Sequence, residues 1–540
     1  MGITCGLCLY WPYGVNSSSP VGIVYATPSN TWLYGRYDNF RDITIGTVRV
    51  KARKEEQVMK RAITLIAILI TTQNLIAEPI DVSSMLGESW YGVYMNNQKA
   101  GFAVNSLVQN DDGTIVVTED SKFQIVMAAQ KQDMKITSRR TYSRDGELMT
   151  IESTVVDPAG TNTFVGTVQG EFLELTSVVG GVSASATFPK PKESLRDAIK
   201  LAELVLNDPK EGKSQSFSVF EPLYRQEMAG TSTIVGKEER EFDGVMTTVY
   251  KVSTTMPDMG VNSLSYVAED GTTLEDQVAG GLVTMRLEPE HLAKDVDYSN
   301  DVIVSNAAMV ETPISNPRKR KSLRLEIRGP IDGGHVFNDE RQAVTEADGF
   351  YLFEGKRYNL KSFKPATIPI ADEAVSPWIK ATQFVQSDNP KVIAKAKEII
   401  GDETDALEIS RLLCDWVHDN MRSTFSARLT NAIEVLEHLE GDCTEHSILF
   451  IALARASGLP AREVAGLVYV SGSAPGFYFH QWAKVWVGKW IDVDPTFDQP
   501  LADVTHIKLA EGDLFEQAKI MPIIGRLKIN EAVAEKAANE

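Results

Sequence analysis

The chain has 540 residues and carries 54 Lys+Arg against 73 Asp+Glu, a formal net charge of −19. That length requires more than one core, and 43% apolar with 24% charged residues excludes wholesale disorder and a polytopic membrane protein. The acidic balance excludes a general nucleic-acid binder, which needs a basic surface to neutralise phosphates, and four cysteines exclude a disulfide-dense scaffold or a cysteine-rich zinc array.

Residues 1–58 show no periodicity and hold a lone Cys5-x-x-Cys8, which without a second pair is a chance spacing. From Met59 the sequence reads as a secretory signal peptide, 59–77. Lys60-Arg61 form the basic region, Ala62 to Ile70 the apolar core, and Ala77 the small residue before the cut. Met59 is therefore the expected start, 1–58 an upstream extension, and the mature protein secreted or periplasmic with no membrane span. Only Cys414 and Cys443 would remain, either as one disulfide or with a thiol kept for chemistry.

Residues 78–300 predict an antiparallel β-rich domain, curved or partly closed. Short alternating runs follow Asp112-Gly113, Asp145-Gly146, Asp243-Gly244 and Asp270-Gly271, dipeptides that supply the positive φ of tight hairpin turns. One helix interrupts it near Leu195–Leu206. Residues 301–375 form a second β-rich segment. Its Arg318-Lys319-Arg320-Lys321 run reads as a solvated linker, with anionic ligand binding as the sharper alternative.

Helices follow in the last part, 376–540. Asn389-Pro390 starts one that stops at Gly401, and a second runs from about Glu403 to Met421, with Cys414 as a core thiol. In GDCTEHSILFIALARASGLPAR, Gly441 to Arg462, Asp442 caps a helix and Glu445 completes a capping box. Cys443 is then the first helical residue, where free N–H groups and the positive helix end favour a thiolate and could hold an oxyanion. In FYFHQWAKVWVGKWIDVDPTFDQ, Phe477 to Gln499, two strands flank Gly488-Lys489 as a hairpin. His480 opens the first strand and Asp494 closes the second. Together with Cys443 they make a nucleophile, base and orienting carboxylate. Parity tests the set. A two-residue turn would put His480 and Asp494 on opposite faces, whereas a three-residue turn including Val487 puts Asp494 across from Trp482 with His480 diagonal to it. A three-residue turn or bulge is therefore predicted, and Asp492 is the weaker carboxylate.

These three blocks resemble the transglutaminase-like superfamily, whose core belongs to the papain-like cysteine enzymes, over roughly Asp388 to Asp513. The resemblance implies an α+β fold, with helices packed on an antiparallel sheet behind the β-rich region. It also implies Cys443 as nucleophile, His480 as base and acid, and Asp494 as orienting carboxylate. The substrate would be a protein or peptide amide, opened through a thioester, with hydrolysis favoured over cross-linking. No metal and no organic cofactor is expected. The family's second oxyanion donor has no clear place here; Trp416 reads better as a core residue. A zinc set of Cys443, His446, His480 and Asp494 lacks zinc-site spacing, and His446 reads as a packed or capping residue. His291, His335, His418 and His438 read as surface or satisfied histidines; His506 follows the hairpin closely and could border the cleft, but reads rather as lying away from it. The alternative of another class is an inactive binding or scaffold protein that uses its β-rich domain.

Overall fold

A computed structural model describes residues 80–531 apart from 128–129, 159, 426–429 and 513. The extension and signal peptide assigned to residues 1–77 lie outside the described residues. Among the described residues no helix is long and apolar enough to cross a membrane.

Two antiparallel meanders, strands β1 (Gly87–Met95) to β8 (Val182–Pro189) and β9 (Ser214–Glu221) to β14 (Val283–Leu287), join by β1 against β14 into one sheet of 14 strands. Its two edge strands come together where the Phe188 and Phe220 rings pack 5.4 Å apart, so the sheet curves back on itself. Of the four Asp-Gly turns, only Asp243-Gly244 has positive φ at both residues; the others place Gly alone there, so a single Gly suffices in three of them. The expected helix is two short ones, α1 (Leu195–Ala198) and α2 (Lys200–Leu206), broken at Ile199. Leu201, Leu204 and Val205 pack on Ile234, Val252 and Val267 of the sheet.

The segment 301–375 does not fold back on itself alone. Strand β15 (Ala308–Met309) pairs with Gly476–Phe477. Strands β16 (Ser322–Arg328), β17 (Gln342–Ala347) and β18 (Phe350–Lys356) form a second sheet, which is completed from the far end of the chain by β25 (Lys528–Glu531). Leu325, Ile327 and Phe353 share one core with Leu467, Tyr469 and Ile507. The basic run is not a free linker. Arg318 donates to Asp503 at 2.9 Å and lies over the Phe497 ring, and Arg320 pairs with Glu531.

Helix α3 (Pro390–Ile400) starts at the Asn389 cap as expected. Helix α4 (Ala406–Asn420) begins three residues later than Glu403, because the Asp405 carboxylate accepts from the N–H groups of Leu407 and Glu408 and fixes the cap there. Helix α5 (Ala432–His438) and helix α6 (Cys443–Ala456) complete the group. They bury their apolar faces against one side of a five-stranded sheet, where Ala483, Val485, Ile491 and Val493 meet Ile448, Leu449 and Ala452. In that sheet β22 (Gly476–Trp486) lies beside β21 (Ala461–Val470), and β24 (Ile507–Glu511) flanks β21 on its other side.

The β-rich region touches this part through side chains that close on backbone. Gln132 donates to the Phe425 carbonyl at 2.8 Å and Asn431 to that of Val179 at 3.0 Å.

Candidate active site

Helix α6 begins at Cys443 under a complete capping box. Asp442 accepts from the Thr444 N–H at 2.8 Å, and the Glu445 carboxylate accepts from the Asp442 N–H at 2.7 Å. The residue before them must be small: a Cβ on Gly441 would lie 2.3 Å from that of Glu445.

The hairpin has the three-residue turn that parity demands. Strand β23 (Trp490–Val493) pairs with β22 as Ala483 with Val493, Lys484 with Asp492 and Trp486 with Trp490. Val487, Gly488 and Lys489 make the turn, closed by the Val487 N–H donating to the Lys489 carbonyl and permitted by φ +106° at Gly488. His480 and Asp494 therefore leave on one face and meet, with His480 Nε2 donating to Asp494 Oδ2 at 2.9 Å. Pro495 follows and ends the pairing. The chain then folds into a tight loop in which Asp494 and Gln499 exchange both backbone hydrogen bonds, while Asp494 Oδ1 accepts from the N–H groups of Thr496 and Phe497.

The edge of β22 explains how the cysteine arrives. On one side it pairs with β15 at Gly476–Phe477 and with β23 from Ala483 onward, and β21 takes the other side. Between those two partners, Tyr478 to Trp482 have no strand on that edge. The first turn of α6 fills the gap. Ser447 Oγ lies 2.7 Å from the Cys443 carbonyl oxygen and 3.1 Å from that of Gln481, and the Gln481 N–H donates to the Cys443 sulfur. The thiol is thus tied to the residue that follows His480. Since Nε2 of His480 is held by Asp494, the tautomer leaves the Nδ1 lone pair as the acceptor.

The electrostatics correct one expectation. Burial pushes the Cys443 thiol well up, Asp442 adds to it, the Gln481 N–H pulls it down, and Glu445 and Asp494 push up again. The capping carboxylates that start the helix beside the cysteine oppose the thiolate that a bare helix end would favour. For Asp494, burial works upward, but His480 and His506 outweigh it and hold the carboxyl below the usual carboxylate range.

His506, read from the sequence as lying away from the cleft, is in the site. It is fully buried, and its Nε2 donates to the same Asp494 oxygen at 2.8 Å. Ser447, Gln481 and Arg318 were also missed as site neighbours. Trp416 packs half-buried against the helical core with the Lys395 ammonium over its ring, and His446 donates from Nδ1 to the Asp442 carbonyl at 2.6 Å, a packed residue as expected. His335 is buried and satisfied by the Lys519 carbonyl. Cys414 and Cys443 are both free thiols, Cys414 buried in the core. Asp492, the weaker carboxylate, belongs to another cluster, with Arg341 at 2.9 Å, the Tyr358 hydroxyl at 3.1 Å and Lys508 at 3.2 Å. By distance alone a cation could be held by His480, Asp494 and His506, whose ligand atoms lie within 4.8 Å of one another. The zinc set read from the sequence differs: it includes His446, whose Nδ1 is already committed to the Asp442 carbonyl.

Residues 393–495, the stretch from α3 to the end of the hairpin, match the model of the transglutaminase-like superfamily. The chain carries a transglutaminase-like domain. An uncharacterized protein of Haemophilus influenzae is 32% identical over 116 residues, 19% of this chain and 29% of that protein, so the match spans less than a third of the relative. Among solved structures, a candidate cysteine protease from Cytophaga hutchinsonii is similar at 18% identity over 39% of this chain and 84% of that one, with a TM-score of 0.26. A β-barrel-like protein with a domain of unknown function from Brucella abortus is similar at 10% identity over 37% of this chain and 93% of that one, with a TM-score of 0.28. The superfamily match ends at Pro495, so His506 lies beyond it.

Proposed function

We propose that this protein is an exported cysteine enzyme that opens protein or peptide amide bonds through a thioester, with water rather than a second amine as the usual acceptor. Cys443 is the nucleophile, His480 the base and then the acid, and Asp494 the carboxylate that fixes the imidazole. The observation that carries the reading is the commitment of His480 Nε2 to Asp494, next to a residue whose N–H reaches the Cys443 sulfur. This leaves Nδ1 to take the thiol proton. Sulfur then bonds the carbonyl carbon, and the carbonyl electrons move to oxygen beside the Cys443 N–H at the start of α6. Collapse expels the amine, which takes the proton from His480. Water, deprotonated by the same ring, releases the acid.

The test is a panel of peptides with and without glutamine, followed by intact mass and by ammonia release. An acyl adduct on Cys443 that disappears in Cys443→Ala and His480→Ala supports the reading. Adduct formation unchanged in His480→Ala, or none with any peptide, overturns it and favours a binding protein. Transfer to an added lysine-type amine in preference to water would make it a cross-linker.

A further inference from the structure

We propose that Arg318 is a specificity-determining residue: a guanidinium beside the reacting bond that selects substrates whose departing amine half carries a carboxylate. The inference deepens the reading above and rests on its assignment of Cys443, His480 and Asp494.

The basic run enters the site through one turn of 3-10 helix, Pro317–Lys319, which lays Arg318 against the loop that follows Asp494. One corner of the guanidinium is fixed there. Its Nη1 donates to Asp503 Oδ2 at 2.9 Å and to the Thr505 hydroxyl at 3.1 Å, and its carbon lies 4.9 Å from the centre of the Phe497 ring. Arg357 donates to the main-chain carbonyls of Arg318 and Arg320, which holds the turn. Asp503 meets only Nη1, so Nε and Nη2 have no partner among the described residues, and 38% of the side chain is exposed. A guanidinium pinned at one corner presents its remaining edge as a fork of two parallel donors, the match for the two oxygens of a carboxylate. Arg320 is paired with Glu531, and exposed Lys319 adds positive charge to the same turn.

The direction follows from the chemistry. The Phe497 ring packs on that of His480 with centres 5.1 Å apart, so one aromatic ring separates the guanidinium from the imidazole. His480 is the acid that protonates the departing amine. The part of the substrate bonded to that nitrogen therefore extends over Phe497 toward Arg318, while the acyl half stays on the sulfur beside Gln481. The carboxylate that the fork takes belongs to the amine half, as its own C-terminus or as an Asp or Glu side chain within it. Ammonia, the amine half of a glutamine side chain, has none, so the fork serves cleavage between residues.

The test uses the full chain and four peptides that share one acyl half. Their amine halves differ in two places, a free or amidated C-terminus and a Glu or a Gln within. Amine release gives kcat/KM, and intact mass follows the adduct on Cys443. The wild type is expected to prefer a carboxylate over its amide about tenfold at low salt, with the preference shrinking as salt rises. The terminal pair and the Glu/Gln pair tell which carboxylate is taken. Arg318→Gln is expected to bring the ratio to about one. A ratio near one in the wild type overturns the inference, and so does a preference that persists in folded Arg318→Gln. Should that variant fail to fold beside Asp503, Arg318→Lys decides, because it keeps a charge for Asp503 and loses the fork. A several-fold fall in the ratio is expected, and an unaltered ratio overturns the inference. Acylation of Cys443 by neither member of any pair sinks the enzyme reading and this inference with it; equal acylation by both members sinks Arg318 alone.

Discussion

Asp492 and Asp494 leave the same face of the hairpin two residues apart, yet one is held by Arg341 and Lys508 and the other by two histidines. The first closes a buried ion cluster, and the second orients an imidazole. Asp494→Asn is expected to lower turnover by roughly 10²–10⁴-fold with a modest loss of stability. Asp492→Asn strips a partner from buried Arg341 and Lys508 and should cost about 3–5 kcal/mol of stability while the folded fraction keeps its reactivity. Thermal melts alongside alkylation rates distinguish them; equal effects on both readouts would contradict the division.

Gly441→Ala should act locally. The new methyl would meet Glu445, opening the capping box at about 1 kcal/mol and displacing the first turn of α6. Cys443 reactivity is expected to fall more than the melting temperature does, read by alkylation and calorimetry on the same sample.

Ser447→Ala removes the hydroxyl lodged between the carbonyls of Cys443 and Gln481. A loss of about 1 kcal/mol follows from the vacated hydrogen bond. The slowing of acylation should exceed what that stability change alone produces, because α6 is then free to shift along the open edge of β22. Acylation kinetics at a temperature where the variant is fully folded check this.

The two ends of the described chain should respond to pH in opposite directions. In the β-rich sheet, burial raises Glu221 to about 7 and Asp276 to about 6. Their folded pKa values exceed the unfolded ones, so the folded state binds more protons; stability is full below about pH 4 and is lost as pH rises through 6 to 7. For Glu221 the loss is about 3 kcal/mol. In the transglutaminase-like domain, burial works upward on Asp492, Asp494 and Asp503, but Lys508 and Arg341 hold the first low, the His480 and His506 rings the second, and His506 with Thr505 and Arg318 the third. Their contribution is present above the ordinary carboxylate range and disappears as pH falls below it. Hydrogen exchange at pH 5 and pH 8, resolved by peptide, should show β9 to β14 more protected at pH 5. Glu221→Gln should remove most of that difference.

The hairpin was legible because strand parity is arithmetic: a face for His480 and Asp494 in common forces a three-residue turn, whatever the surroundings. The capping box was legible for a similar reason, being a local pattern. His506 was not, because its partner lies across an irregular loop where no period operates. Its one local sign is Asp503-Val-Thr505-His506, three polar groups in a buried stretch that ends in a strand. Arg318 was read as a solvated charge because Asp503 is 185 residues away. The cap also misled: Asp442 and Glu445 mark the helix start correctly, but their charge reverses what that start does to the thiol.

Strand β25 comes from the last described residues and pairs with β16, more than 190 positions earlier in the chain. An excised piece starting at residue 376 would therefore keep Asp492 and Lys508 while discarding Arg341, Asp339 and all three strands that share a sheet with β25. The smallest autonomous piece holding the whole candidate site must begin before Ala308, so truncations made at the superfamily boundary should yield insoluble material rather than a folded core.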